Sequence, residues 1–213
     1  MAGSTRAKKL ARLLTRIALG VAVGIAALVA GVILVVTNPL IIPPERRTVP
    51  AADPDALKAH VVRLASTVPA RNHANVGALA ETLGYIRSTW TGQGHQVQSQ
   101  PFSAGTSTFS NVWITCGPET ADRVIIGAHY DVCGDQPGAD DNASGVAAIL
   151  ELGRLLPTHR PALDRRIDLV AYANEEPPYF KSAYMGSVVH ARSLKAKGAR
   201  VRGVVALDMV GYF

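Results

Sequence analysis

Cysteine is scarce in this chain of 213 residues: Cys116 and Cys133 are the only two. One disulfide at most can form, and only in an oxidising compartment. No histidine follows Cys133 in a motif that would make it a nucleophile, although its nearness to His129 leaves a ligand role open. Acidic residues are missing from the first 44 positions, and charge of either sign is missing from Ile17 to Pro44. The first of these absences decides how the net charge is read. A formal charge of +6 and a pI near 9.6 are values often met in nucleic-acid-binding proteins. Yet Arg6, Lys8, Lys9, Arg12 and Arg16 carry five of those charges, and the remaining 17 basic residues face 16 acidic ones. The excess belongs to the amino terminus, and nucleic acid is not an expected partner. Internal repeats are also absent, as are low-complexity tracts past residue 54. About 160 residues remain there, enough for one core and too few for two.

The missing charge from residue 17 onward has its own meaning. As a helix, residues 17–37 (IALGVAVGIAALVAGVILVVT) would span about 31 Å, close to the hydrocarbon thickness of a bilayer. A cleaved signal peptide has a shorter apolar core, of about 7 to 15 residues, and a small-residue cleavage site that is not evident here. The expected organisation is a basic cytoplasmic tail (1–16), one transmembrane helix (17–37), a proline-rich spacer (38–54) and a globular domain (55–213). Five basic residues ahead of the span place the amino terminus in the cytoplasm and the globular part outside it. The lipid bilayer is thus an expected partner.

In the globular part, Asp53 and Pro54 form an N-cap and first-turn pair, and Leu57, Val61, Leu64 and Val68 follow one helical face. Leu79, Leu83, Ile86 and Trp90 make the apolar stripe of a second helix spanning residues 75–91. Residues 95–102 alternate as a half-buried strand does, and residues 110–116 are its expected antiparallel partner.

The most informative stretch is Ala128 to Gly145, AHYDVCGDQPGADDNASG. It packs one imidazole and four carboxylates between an apolar strand (123–128) and a helical repeat of apolar positions (146–156). Three readings compete. Asp140, Asn142, Ser144, Gly145 and Glu151 match the spacing of an EF-hand calcium loop. Such a loop needs an entering helix, and the helix breakers of CGDQPGA exclude one. Gly-Ala-Asp-Asp-Asn can also be no more than a turn and an N-cap. In the third reading His129 and one of the paired aspartates ligate zinc at the carboxyl end of a strand, where open α/β sheets bind their ligands.

Later strands weigh between the last two. RIDLVAYA (166–173) runs into Asn174, Glu175 and Glu176, and VRGVVALDM (201–209) carries Asp208 near its end. Parallel strands would gather these residues along one edge of a sheet. Chance seldom ends three successive strands in acids, one of them with a histidine.

In order and spacing, His129-Tyr130-Asp131, GADDNASG (138–145), Glu175-Glu176, Gly186-Ser187 and Leu207-Asp208-Met209 resemble the co-catalytic di-zinc aminopeptidase family. That family groups bacterial leucyl aminopeptidases with glutamate carboxypeptidase-like and glutaminyl cyclase-like proteins. The resemblance runs from residue 57 to residue 213. It implies an α/β fold with three layers, α/β/α, around a mostly parallel mixed sheet, and two zinc ions. His129 and Asp208 would hold one zinc, Glu176 the other, and Asp141 would bridge them. Asp131 would orient His129 from behind, and Glu175 would be the general base. The implied activity is a membrane-anchored aminopeptidase acting on peptides. Carboxypeptidase or glutaminyl cyclase chemistry, or an inactive ectodomain that binds a partner, are the alternatives.

Chemistry accounts for the residue types. A bridging ligand needs two oxygens, which Asp141 has. An imidazole bound through one nitrogen needs its other N–H held. Adjacent residues on an extended chain diverge, so one of Glu175 and Glu176 can face a metal and the other a water. The resemblance also implies a further histidine beyond the aspartate-bearing strand. His60, His73, His95, His159 and His190 end no candidate strand and are expected on the surface or in packing. The run VVALDMVGYF reads as an interior strand. A chain lacking the last strands and helices of its fold is therefore expected. By the same resemblance the cysteines lie at opposite ends of the sheet as free thiols. PPYFKSAYM (177–185) is longer and richer in proline and aromatics than the family's usual link, and its Tyr179, Phe180, Tyr184 and Met185 are expected to line a pocket for an apolar side chain. Ser187 is expected to cap a helix over 187–197.

Overall fold

The computed structural model describes residues 2–37, 51–119, 122–159, 163 and 165–211. They divide into two compact units, Met1–Val49 and Pro50–Phe213. The described residues of the first form one helix, α1 (Ala2–Thr37). It begins well before the predicted span because the preceding segment, rich in Ala, Leu, Lys and Arg, favours helix throughout. Its section Arg12–Leu34 is long and apolar enough to cross a bilayer, a property it shares with signal sequences near an amino terminus. The predicted spacer lies, up to residue 50, outside the described residues.

In the second unit, β1 (Gln98–Ala104), β2 (Ser107–Cys116), β3 (Asp122–His129), β4 (Arg166–Tyr172) and β5 (Arg200–Ala206) form one mixed sheet in the order β1-β2-β4-β3-β5. β1 and β2 make the expected hairpin, with Gln98 opposite Trp113. Gly105, at φ 60°, supplies the left-handed residue of its two-residue turn. β2 runs antiparallel to β4, whereas β4, β3 and β5 are mutually parallel. Parallel neighbours need crossovers, which α4 (Gly145–His159) and α5 (Gly186–Ala196) provide.

Strand alternation sorts the core into two layers. Ala128, Leu169 and Ala171 face α4 together with α2 (Pro54–Ala65) and α3 (Val76–Gly92), through Leu64, Leu79, Ile86, Trp90 and Ile149. Ile125 and Val170 face the other way, onto Leu194 of α5. Asp53 caps α2, accepting from the N–H groups of Asp55 and Ala56, and its own N–H donates to Glu151 of α4 at 2.7 Å.

Two consequences bear on the site. All three parallel strands deliver their carboxyl ends to one edge of the sheet. β5 is the outer strand of the described sheet, with Val201, Val204 and Val205 exposed, although its apolar run reads as an interior strand. Cys116, opposite Ile167 at the start of β4, and Cys133, past the end of β3, are both free.

Candidate metal centre

His129 is the last residue of β3, and its Nε2 faces three carboxylates. Asp141 Oδ1 lies 3.1 Å away, Asp208 Oδ1 3.6 Å and Glu176 Oε1 3.9 Å. Ligand atoms of His129, Asp141 and Asp208 all lie within 4.8 Å of one another. Tetrahedral zinc with bonds of about 2.1 Å separates its ligand atoms by roughly 3.4 Å, so this set fits the ion. Asp141 Oδ1 is buried without a hydrogen-bond partner, a placement that suits a cation. The imidazole carries the electrostatic signature of the same site. Burial alone would lower its pKa, but Asp131, Asp141 and Asp208 outweigh that and push it up to about 9.

Asp131 meets both the histidine and the glutamate pair. His129 Nδ1 meets the main-chain carbonyl of Asp131 at 3.1 Å, with the carboxylate slightly farther at 3.6 Å. The carboxylate accepts the N–H groups of Glu175 at 3.1 Å and Glu176 at 3.0 Å. Through these two bonds the carboxylate orients the exit of β4. Ahead of the two glutamates, Asn174 adopts φ 59°, a left-handed conformation that asparagine tolerates.

The two glutamates then diverge. Glu176 turns to His129, while Glu175 turns to α5, where Oε1 accepts the Ser187 N–H at 2.7 Å and Oε2 accepts the Ser187 hydroxyl at 2.8 Å. This reverses the expected cap. Met185 occupies the N-cap position without a side-chain bond, and the Glu175 carboxylate satisfies the helix end in its place. Burial raises the pKa of Glu175, against the lowering effect of the Ser187 bonds. Burial and Asp141 raise that of Glu176.

Of the paired aspartates, Asp141 faces the histidine and Asp140 turns away to accept the Gly211 N–H at 2.9 Å. The calcium spacing has no counterpart in space. Glu151 is occupied by Arg154 and the Asp53 N–H, and Asn142 Oδ1 by the Gly145 N–H.

Sequence reasoning missed two residues. Arg71 is 2% exposed and its guanidinium donates to four carbonyls: Tyr130 at 3.0 Å, Leu64 at 2.9 Å, and Pro137 and Gly138 at 2.6 Å. One side chain thus clamps the end of α2, the exit of β3 and the loop leading to Asp141. Gly138, at φ 59°, is needed there, since a Cβ would collide with Val132. Asn111 of β2 joins the end of β4 to the start of α5, accepting from Ala173 N–H at 3.2 Å and donating to the Gly186 carbonyl at 2.8 Å. Arg71 stands in no periodic segment or motif, and Asn111 lies within the strand expected over 110–116, where only its polarity sets it apart.

The 177–185 loop divides. Phe180 and Met185 line a cavity of about 1210 Å³ that also touches Glu175, Glu176 and Tyr172. Tyr179 packs edge-on against Phe109 and His73, and Tyr184 packs against Tyr179. The expectation that all four line a pocket is corrected to two, because the Tyr179 ring gains more burial against the β1–β2 hairpin. Histidines outside the motif are packing residues where described. His190 is buried between Trp113 and Tyr172, and burial is the main cause that pulls its pKa down to about 4. His60 meets the Tyr85 hydroxyl and His95 the Gly153 carbonyl. The side chain of His159 lies outside the described residues.

The chain is similar in sequence and fold to known proteins. Residues 111–213 match the model of peptidase family M28. The uncharacterized protein YfbL of Escherichia coli is 42% identical over 170 residues, which are 76% of this chain and 51% of YfbL. The chain thus spans about half the length of that relative. A Zn-dependent exopeptidase from Parabacteroides distasonis superposes with a TM-score of 0.63 at 24% identity, covering 76% of this chain and 63% of the other. The glutaminyl cyclase of Porphyromonas gingivalis does so with a TM-score of 0.63 at 25% identity, covering 75% and 60%. Residues 111–213, just under half of the chain, are thus similar to peptidase family M28, and the mixed sheet with flanking helices is built like that of the zinc exopeptidase and the glutaminyl cyclase.

Proposed function

We propose that this chain carries the site of a membrane-anchored, zinc-dependent exopeptidase that releases amino-terminal residues from peptides. The observation that carries the reading is the convergence of Asp141, Glu176 and Asp208 on the Nε2 edge of His129. His129 and Asp208 would hold one zinc and Glu176 the other, with Asp141 placed to serve both. Zinc, when bound, polarises the substrate carbonyl and lowers the pKa of a water to near neutrality.

The protein's own residues do the rest. Glu175 takes the proton of the attacking water at a carboxylate oxygen and passes it to the nitrogen of the leaving amine. Ser187 keeps that carboxylate aimed, and Asp131 keeps both glutamates in register through their N–H groups. Phe180 and Met185 offer an apolar wall to the substrate side chain. Residues 17–37 of α1 span the bilayer, with the basic residues before them on the cytoplasmic side.

Glutaminyl cyclisation is the second reading, favoured by a TM-score to the Porphyromonas cyclase equal to that for the exopeptidase. One experiment addresses both. Membranes carrying the protein are assayed with leucine, lysine and glutamate anilides and with a glutaminyl peptide, before and after chelation and zinc replacement. Chelator-sensitive cleavage of the leucine anilide, remaining with the membranes after alkaline washing, is expected. Pyroglutamate formation without anilide cleavage would move the assignment to a cyclase, and neither activity in zinc-loaded protein would leave an inactive ectodomain.

Zinc binding should also depend on pH in a defined direction. With its pKa at about 9, metal-free His129 is protonated at pH 7, and a metal can bind only the neutral ring. Binding at pH 7 must therefore expel that proton, so apparent zinc affinity should rise about tenfold per pH unit and level off above about pH 9. Calorimetry in buffers of different ionisation enthalpy counts the released proton. Zinc affinity that does not change between pH 6 and pH 8 would be incompatible with His129 as a ligand.

A further inference from the structure

We propose that Asp140 and Ser144 are positioning residues that lock the turn bearing Asp208 onto the loop bearing Asp141, so that both carboxylates reach His129 as one unit. The proposal rests on the zinc reading above and adds to it how the ligand that follows β5 is held in place.

Packing does little to hold Asp208. Its side chain is 62% exposed, it follows the exposed outer strand β5, and Met209 beside it is exposed and left-handed, at φ 50°. Hydrogen bonds hold it instead. One joins Leu207 N–H to the Gly127 carbonyl of β3 at 2.8 Å. Three others come from the 140–145 segment. Asn142 Nδ2 donates to the Leu207 carbonyl at 2.8 Å, Ser144 Oγ accepts the Val210 N–H at 3.1 Å, and Asp140 Oδ1 accepts the Gly211 N–H at 2.9 Å. Ser144 can play its part because its proton is already directed to the Asp140 carbonyl at 2.7 Å, which leaves a lone pair for Val210. Gly145 lets the two segments meet, since a Cβ there would stand 2.6 Å from the Leu207 carbonyl oxygen.

The two adjacent aspartates therefore have separate tasks. Asp141 points at the histidine, and Asp140, one residue earlier, ties down the turn that supplies the remaining carboxylate. Any shift of the 139–144 loop is shared by Asp141 and Asp208, which keeps their separation constant. Partners that orient metal ligands from behind are typically worth 10- to 100-fold in metal affinity.

The test measures zinc affinity of the full chain by competition with a chromophoric chelator, alongside amide hydrogen exchange at Val210 and Gly211 in metal-free protein. Asp140→Ala and Ser144→Ala should each weaken zinc binding about tenfold or more and deprotect the amide that lost its acceptor. Asp140→Asn keeps an Oδ1 acceptor for Gly211 and should stay within about threefold of the parent. Binding unchanged in Asp140→Ala, or weakened as much in Asp140→Asn as in Asp140→Ala, overturns the proposal, the latter because charge and not the hydrogen bond would then matter. Failure of the parent protein to take up zinc, with both amides still protected, removes the zinc reading and reduces the latch to a structural tie, which overturns the positioning role separately.

Discussion

Glu175→Gln is expected to lower turnover by roughly 10² to 10⁴ while zinc content and fold stay as they are. Glutamine keeps an Oε1 that accepts the Ser187 N–H, and its amide can donate to the Ser187 hydroxyl, which reverses role at no cost. The cap on α5 survives, as does the loop held by Asp131, because Asp131 bonds to the main chain at 175 and not to the side chain. Only the capacity to take a proton is lost. The wild-type carboxylate suits that task because burial raises its pKa, towards the pH at which a base must both accept and release a proton. Kinetics and zinc content measured on the same preparation make the check. Undiminished turnover would withdraw Glu175 as the base, and loss of zinc would reassign it as a ligand. Glu176→Gln should behave differently, since Glu176 faces His129, and should lose metal.

Arg71→Met is expected to destabilise the globular unit by roughly 3 to 5 kcal/mol. Four carbonyls lose their donor together, each lost partner in a buried place costs about 1 to 3 kcal/mol, and local rehydration returns part of the sum. For a unit of this size, each kcal/mol moves the melting temperature by about 2 to 4 °C, so a fall of about 10 °C is expected. The guanidinium is charged at neutral pH even though burial brings its pKa down to about 10, and Asp131 and Asp141 are the nearest charges it answers. Arg71→Lys should recover only part of the loss, because an ammonium donates from one point and cannot span carbonyls of Tyr130, Leu64, Pro137 and Gly138. Saturating zinc should raise the melting temperature of parent and variant alike. A fall below about 3 °C in Arg71→Met would show that the 130–138 loop is held by something other than this clamp.

Local pattern carried far in some places and stopped short in others. The apolar stripe Leu79, Leu83, Ile86 and Trp90 belongs to a real helix, and the alternation in β3 and β4 sorts their side chains between the two layers. Such features repeat at the period of the backbone itself, so neighbouring residues suffice to reveal them. The divergence of Glu175 and Glu176 could likewise be anticipated from chain geometry, though not that Glu175 would cap α5. Tyr179 and Tyr184 illustrate the limit. Their chemistry fits a substrate pocket as well as a packed surface, and only the position of Phe109, seventy residues earlier in the chain, settles which way Tyr179 turns.

By itself the sequence determined the helix and strand periods, the apolar amino-terminal span and the order of acidic residues after β3, β4 and β5. Each of these is written in residues close together along the chain. Tertiary structure alone decided that Asp140 turns away to accept the Gly211 N–H, that the Asp131 carboxylate holds the main-chain N–H groups of the glutamate pair, and that Arg71 and Asn111 brace the site. Those choices depend on hydrogen bonds between segments more than 40 residues apart, whose partners come within reach only after the sheet has formed. A donor or acceptor in the sequence specifies that a partner is needed, and the folded chain specifies which one is near.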